Sequence, residues 1–429
     1  MSRSTGGLRR TISVADADNN NMRAEERWIS TDTDLHEVID ELLLQSAYAI
    51  DTEFLRERTY YPHLALVQIA WPGGLVLIDP LATSMKPLAG LFNSDVLAVF
   101  HAADQDLEVL EYACGAIPRR MFDTQLAAGF LGFSTPSLVS LAERVLGVRL
   151  SKGDRLTDWT QRPLTNAQRT YAASDVTHLM TLRDLMVAEL DIVGRMTWVE
   201  EEFEVLRTRP RGPHDPSRAW WRLKDGRVLR GPDRLVGQEL CAWRELKARA
   251  EDKPVRFVLP DLAVLAIAQA RPSTAAELGA VRGIDGRYTK GTGAREILDV
   301  VQRSATMDPS QLQVPETEEF DRRLRPALTL ISAWIAQLAR DARIDTALLA
   351  TRSDLVHFLR GDEDARLRFG WRSEVVGENV RRLVSGTAAL AFEPQGTLVL
   401  EQRSNDPVGL DIAVPEVTWA EQPDLADLE

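Results

Sequence analysis

Between Asp34 and Gln45, in DLHEVIDELLLQ, apolar residues recur every three or four positions, and then the period changes. AYAIDTEF (47–54), HLALVQIA (63–70), LVLIDP (75–80) and LAVFHAA (97–103) are short apolar runs separated by Pro, Gly and polar turns. One amphipathic helix followed by four strands is therefore predicted. From Asp106 onward the helical period returns in DLEVLEYACG, DTQLAAGFLG and SLVSLAERVLG, each ending on a glycine suited to a helix C-cap. TNAQRTYAASDVTHLMTLRDLMVAEL (165–190) reads as one long amphipathic helix capped by Thr165. Strands followed by helices that pack on them form an α/β layer ending near residue 205.

Beyond it, RTRPRGPHDPSRAWWRLKDGRVLRGPDR (207–234) is rich in Pro, Gly and Arg and reads as an inter-domain connection. The remainder is patterned almost wholly as helix, and part of it repeats. AWRELKARAEDKPVRFVLPDL, beginning at Ala242, recurs loosely as AWIAQLARDARIDTALLATRSDL, beginning at Ala333. In both, Ala-Trp on an amphipathic helix is followed, after a polar break, by Asp-Leu opening another helix. The offset is 91 residues at the first landmark and 93 at the second. That period is long for a solenoid unit and suits a duplicated small helical domain.

Length and composition fit this division. A chain of 429 residues exceeds what one core organises, and 44% hydrophobic with 27% charged residues is ordinary globular usage. Cys114 and Cys241 are the only cysteines and lie far apart, so neither a disulfide framework nor a cysteine zinc site is indicated, and a reducing cytoplasm is the expected compartment. Residues 1–27 read as a disordered leader, because no apolar stretch of signal-peptide length follows the paired Arg9 and Arg10. No run approaches the roughly 18 apolar residues of a membrane span.

The formal charge of −13 argues against a polyanionic ligand until its distribution is considered. Between Arg207 and Arg256 fourteen Lys/Arg face seven Asp/Glu, a local excess of +7, whereas Asp406–Glu429 holds seven acids and no base. The charge is segregated into a basic middle and an acidic tail, and the basic part suits either a solvated face or phosphate contacts.

Candidate chemistry lies in three places. Asp51 and Glu53 stand two apart at the polar end of an apolar strand and so project from one face, where two adjacent carboxylates remain ionised most readily around a divalent cation. In AVFHAADQDLEVL an apolar strand runs into a helix whose first turn carries Asp104, Asp106 and Glu108, acids that the helix dipole also favours there. In YAASDVTHL, Tyr171 and Asp175 share one helix face, with small residues between them that permit close packing. Each group has an ordinary structural explanation when taken alone. Helical spacing permits either Asp104 or Asp106 as the second group's contribution.

Together, DTEFLRERTYYPHLALVQ, HAADQDLEVL and TDWTQRPLTNAQRTYAASDV resemble the three exonuclease motifs of the ribonuclease D family, in the DEDD superfamily, over roughly residues 45 to 190. The resemblance implies a ribonuclease H-like α/β exonuclease domain at 28–205, with Asp51, Glu53, Asp106 and Asp175 as the acid quartet. Tyr171 marks the tyrosine subtype, in which the hydroxyl positions the attacking water. It implies two divalent ions, Mg²⁺ or Mn²⁺, one generating the nucleophile and one stabilising the leaving 3′ oxygen, with 5′-mononucleotides as products. It also extends downstream to two small all-α HRDC-like domains, at 235–306 and 318–392, separated from the nuclease by the basic linker 206–234 and followed by the acidic tail 406–429.

The implied substrate is RNA, at the single-stranded 3′ ends of transfer RNA precursors and other structured RNAs, with no membrane partner. Arg58, Tyr60, Tyr61 and His101 are candidate substrate contacts by phosphate pairing or base stacking, although core packing accounts equally well for the two tyrosines and a lone histidine is more often structural, and Trp220, Trp221 and Trp243 could stack on bases or be buried between helices. Asp123 suits a helix cap. A DNA-directed 3′→5′ exonuclease in repair is an alternative that the four acids leave open, and a catalytically inactive nucleic-acid-binding scaffold is another.

Overall fold

The computed structural model describes residues 26–151, 157–213, 215–284, 286–288, 290–314 and 321–404. The acidic tail and the leader up to residue 25 lie outside the described residues. Glu26 and Arg27, assigned to the leader from sequence, instead open the first strand.

Six strands form one mixed sheet: β1 (Glu26–Ile29), β2 (Ala47–Leu55), β3 (His63–Trp71), β4 (Gly74–Ile78), β5 (Leu97–Phe100) and β6 (Met121–Asp123), in the order β1-β4-β3-β2-β5-β6. The four predicted strands are its centre. The two outer strands have four and three residues, too short for an alternation to register in sequence. β3 runs antiparallel to β2 and β4, and the remaining pairings are parallel.

The helices of this layer are α1 (Asp32–Leu43), α2 (Leu88–Phe92), α3 (Asp104–Cys114), α4 (Thr124–Gly129), α5 (Leu138–Leu146), α6 (Asn166–Thr177), α7 (Leu179–Ile192) and α8 (Met196–Thr208). Gly115 and Gly147 end α3 and α5 in the left-handed conformation that glycine adopts without steric cost. At Thr165 a full capping box forms with Gln168, whose backbone N–H donates to the threonine hydroxyl at 3.2 Å while its side chain accepts from Thr165 N at 2.8 Å. The long helix expected after Thr165 is, however, divided at His178, where φ −104° and ψ −4° leave helical geometry. The break has a structural reason. α6 packs across β2, β3 and β4 with Ala172 buried, whereas Leu182, Met186 and Leu190 of α7 enter the core on the sheet's other face.

A second core is formed by α9 (Pro232–Ala250), α10 (Val255–Val258), α11 (Asp261–Ala270), α12 (Ala275–Ala280) and α13 (Gly291–Ser304). The expected linker contributes to it. Residues 216–222 form a 3-10 helix against α9, burying Ala219, Trp220 and Leu223, and Trp220 Nε1 donates to Gln313 O at 2.8 Å. Trp243 is half-buried and donates to Glu296 at 3.0 Å. Both indoles are structural in this setting, and the half-exposed Trp221 likewise donates to Gln313 O at 2.8 Å.

The third group is α14 (Arg325–Ala342), α15 (Thr346–Leu349), α16 (Arg352–Arg360) and α17 (Glu378–Val384), followed by a hairpin of β7 (Ala388–Phe392) and β8 (Leu398–Gln402) that the helical reading did not anticipate. The long-short-long order of α9, α10 and α11 recurs in α14, α15 and α16, as the sequence repeat predicts. Their packing differs. Leu328, Ile331, Trp334, Leu349, Leu355, Trp371 and Val380 join the same hydrophobic core as the six-stranded sheet, so this repeat is built into the first domain.

Polar contacts reinforce that junction. Asp345 N donates to Gly129 O at 2.8 Å, and Arg195 of the α7–α8 turn donates to Phe130 O and Ala342 O, both at 2.6 Å. A side chain at Gly129, where α4 stops earlier than its apolar pattern suggests, would meet the Leu348 Cδ1 methyl at 2.6 Å, so the two segments approach closely there. Glu202 on α8, only 5% exposed, accepts from Arg366 at 3.0 Å, from Trp371 Nε1 at 3.2 Å and from Arg372.

Candidate active site

β2 carries the first two acids beyond the end of its neighbour. Its pairing with β5 stops at Ala49, so the edge from Ile50 onward is open on that side, and the N-terminus of α3 occupies the gap. Ala102 turns the chain there with φ 63°, strained for a residue with a Cβ. The turn is held by the buried Asp123, whose carboxylate accepts from Ala102 N at 3.0 Å and Ala103 N at 2.8 Å while capping α4 through Gln125 N at 2.8 Å. The expected cap thus also aims α3.

That aim separates the two acids the sequence left open. Asp106 is 7% exposed and accepts from the Thr52 hydroxyl at 2.5 Å, and its charge reaches Asp51 and Glu53. Asp104 also borders the cleft these acids line, but is half-exposed and paired with Arg209 at 3.0 Å. Thr52 was not singled out from sequence, because alternation turns its side chain away from the Asp51–Glu53 face. The open strand edge allows it to meet α3.

From the opposite face α6 brings Asp175 and Tyr171. One carboxylate oxygen each from Asp51, Glu53 and Asp175 lie within 4.8 Å of one another. The Tyr171 hydroxyl is in hydrogen-bonding reach of Asp175, and its ring lies 6.1 Å from that of Trp159. Arg162 anchors the loop that leads to α6, donating to Asp79 at 2.7 Å and to Ala65 O at 2.7 Å.

Electrostatics follow from this crowding. Burial and then the charges of Asp106, Asp175 and Glu53 raise the Asp51 carboxyl well above its ordinary range. Burial, with Asp175 and Asp106, pushes Glu53 up to about 8. Asp106 and Asp175 are each raised by burial to about 7. Tyr171 is also raised, by burial and by the three acids facing it. A divalent cation reverses this penalty, and three convergent carboxylate oxygens are the hard donors that Mg²⁺ or Mn²⁺ takes.

A pH dependence follows. Glu53, Asp106 and Asp175 are raised from ordinary values near 4, so the stability these three groups contribute is full below about pH 4 and is lost as pH rises through about 7 to 8. Millimolar Mg²⁺ should therefore raise the melting temperature more at pH 8 than at pH 6, in paired thermal scans. Equal increments would contradict the assignment of cause.

The acids line an open cleft of about 800 Å³ whose walls include His101, Leu206, Arg209, Leu348 and Arg366. Leu348 and Arg366 come from the third helical group, a contribution no local pattern indicates. His101 is on the wall, but its two ring nitrogens face Thr124 Oγ1 at 2.9 Å and Pro136 O at 3.1 Å, and burial lowers its basicity, so it is held as a neutral structural ring.

The other substrate candidates lie apart from this cleft. Tyr60 and Tyr61 donate their backbone N–H groups to Asp252 at 3.0 Å, and the Tyr60 hydroxyl meets Glu245 and, at 3.0 Å, Arg249, so Tyr60 docks the second core onto the β2–β3 loop. Tyr61 stacks on Tyr112 with ring centroids 4.6 Å apart. Arg58 is exposed on the same loop, near Asp158.

A 3′-5′ exonuclease family model matches residues 26–191, and an HRDC domain model matches 235–301. The chain is 39% identical to a ribonuclease D of Jannaschia sp. over 83% of its own length and 95% of that protein's. It is 38% identical to a ribonuclease D of Nitrobacter hamburgensis, covering 88% and 99% respectively. The crystal structure of Escherichia coli RNase D, an exoribonuclease involved in structured RNA processing, superposes with a TM-score of 0.76 at 30% identity, over 84% of this chain and 99% of that one.

Proposed function

We propose, for a chain that belongs to the ribonuclease D family of metal-dependent 3′–5′ exoribonucleases, that Asp51, Glu53, Asp106 and Asp175 hold its divalent cations and that Tyr171 positions the attacking water. The observation that supports this reading is the convergence of three carboxylate oxygens within 4.8 Å, with Asp106 beside them in the same cleft. When bound, two Mg²⁺ or Mn²⁺ ions would activate water and neutralise the charge growing on phosphate and leaving oxygen.

The chain's own residues do the rest. Asp51 and Glu53 present their oxygens from a rigid strand, and Asp106 is held against Thr52 by hydrogen bonding. Tyr171 has its proton firmly retained, which suits orienting water rather than removing its proton. Tyr171→Phe should lower kcat by about 10- to 100-fold while leaving Mn²⁺ affinity within about two-fold of the parent. A loss confined to metal affinity would move the tyrosine out of the reaction.

The substrate is an RNA 3′ end, single-stranded where it enters the cleft, on precursors of transfer RNA and other structured RNAs. Arg58 is a phosphate contact in this reading, the unit at 235–306 meets the RNA body, and 318–392 is a second HRDC-like unit acting as a wall of the cleft. Purified protein with Mg²⁺ and a 5′-labelled RNA carrying a structured body and a short 3′ tail should yield a ladder shortening from the 3′ end, abolished by EDTA. Faster degradation of DNA of the same sequence would overturn the choice of RNA. Absence of any shortening would overturn the enzymatic reading.

A further inference from the structure

Gln68 is fully buried at the centre of β3, and neither its amide nitrogen nor its amide oxygen has a hydrogen-bond partner among the described residues. Buried polar side chains are nearly always paired, and an unpaired primary amide inside a sheet opposes folding. The surroundings offer no compensation. Leu66, Leu77, Trp159, Leu164 and Ala172 form the apolar cluster on the side of the sheet covered by α6. A methionine would fill that space with similar volume and no unpaired atoms.

Its register places this amide against the site. Gln68 is the direct antiparallel partner of Asp51. Residues directly opposite on such a pair share a face, with Cβ atoms roughly 4.5–5.5 Å apart. Asp51 is crowded by three other carboxylates. A carboxylate that gives one oxygen to a cation keeps its orientation through a donor on the other oxygen, and that donor tunes affinity.

We infer that Gln68 is a positioning residue for the cation site, its Nε2 donating to the outer oxygen of Asp51 when that carboxylate holds a cation. The inference rests on the proposed role of Asp51 as a ligand.

Isothermal titration with Mn²⁺ and a thermal scan, both on the full chain, test it together. Gln68→Met should melt no lower than the parent without divalent ion, bind Mn²⁺ about ten-fold more weakly, and show reduced kcat with little change in KM for RNA. Gln68→Asn, which withdraws the amide by one methylene, should lose affinity in the same direction and serves if the methionine variant does not fold. Parental Mn²⁺ affinity in either variant overturns the inference. A lower melting temperature with parental affinity assigns the amide to a trapped water instead and equally overturns it. Failure of the underlying reading looks different, since the parent itself would then bind no Mn²⁺, or Asp51→Asn would bind it normally.

Discussion

Asp175→Asn should remove about 10³-fold of the exonuclease rate and leave the fold intact. The carboxylate is one of three whose oxygens converge within 4.8 Å, and the amide that replaces it carries no charge to balance a cation. Loss of about 4 kcal/mol of transition-state stabilisation, the several kcal/mol that metal-ion catalysis supplies, corresponds to that factor. The same substitution should raise the melting temperature of the cation-free protein at pH 8. Asp175 has its carboxyl raised to about 7 by burial, so at pH 8 the parent holds an unfavourable charge that asparagine lacks. At pH 5 both side chains are neutral in the folded state and the difference should shrink. Single-turnover assays and scans at the two pH values read both effects, and parental activity in the variant would remove Asp175 from the site.

Arg372→Met should be the most destabilising single change outside the cleft, by about 3–5 kcal/mol, because it leaves a buried carboxylate without its principal partner. Glu202 and Arg372 are 5% and 4% exposed, and burial pushes the glutamate carboxyl up while bonds and charge from Arg372, Arg366 and Trp371 more than offset it and hold it below the usual range. The pair joins α8 of the nuclease to the third helical group, and Trp198 stacks on Trp371 beside it at 5.1 Å. Because those helices share one core with the sheet, the variant should lower the unfolding midpoint of both together. The separately packed core of residues 219–301 should keep its own midpoint. Calorimetry resolves the two transitions. If the third group melted alone and the sheet kept its midpoint, the shared core would not be the unit of cooperativity.

The basic excess of the middle segment also has a structural account. Arg207 pairs with Glu204 at 2.6 Å, Arg209 with Asp104 at 3.0 Å, and the buried Arg244 with Asp261 at 2.6 Å, while Arg211 donates to Arg207 O at 2.8 Å. Much of the charge counted along the sequence is thus committed within the fold, and a count of basic residues overstates what a phosphate chain would meet.

Alternation along a strand and spacing on a helix are local properties, and they bring together the parts of the candidate site that each lie within one element. Asp51 and Glu53 share a face because β2 is extended, and Tyr171 with Asp175 does so because α6 is helical. Thr165, Gly115 and Gly147 cap their helices for the same local reason. The third contribution could not be chosen this way. Asp104 and Asp106 differ only in which side of α3 meets the open edge of β2, a matter of how β5 ends and how Asp123 holds the turn before the helix. Tyr60 reads as a stacking residue until Glu245 and Arg249, almost two hundred positions later, are brought to its hydroxyl. Two repeats of similar sequence also met different fates, one closing its own core and the other entering that of the nuclease, because a helix's apolar stripe states that it will be buried and not against what. The sequence by itself therefore determined the central strands, most of the helices and the acids they carry. Only the tertiary structure decided which acid is buried against Thr52, what walls the cleft, and that Gln68 is buried opposite Asp51 without a partner among the described residues, since each depends on surfaces brought together from distant parts of the chain.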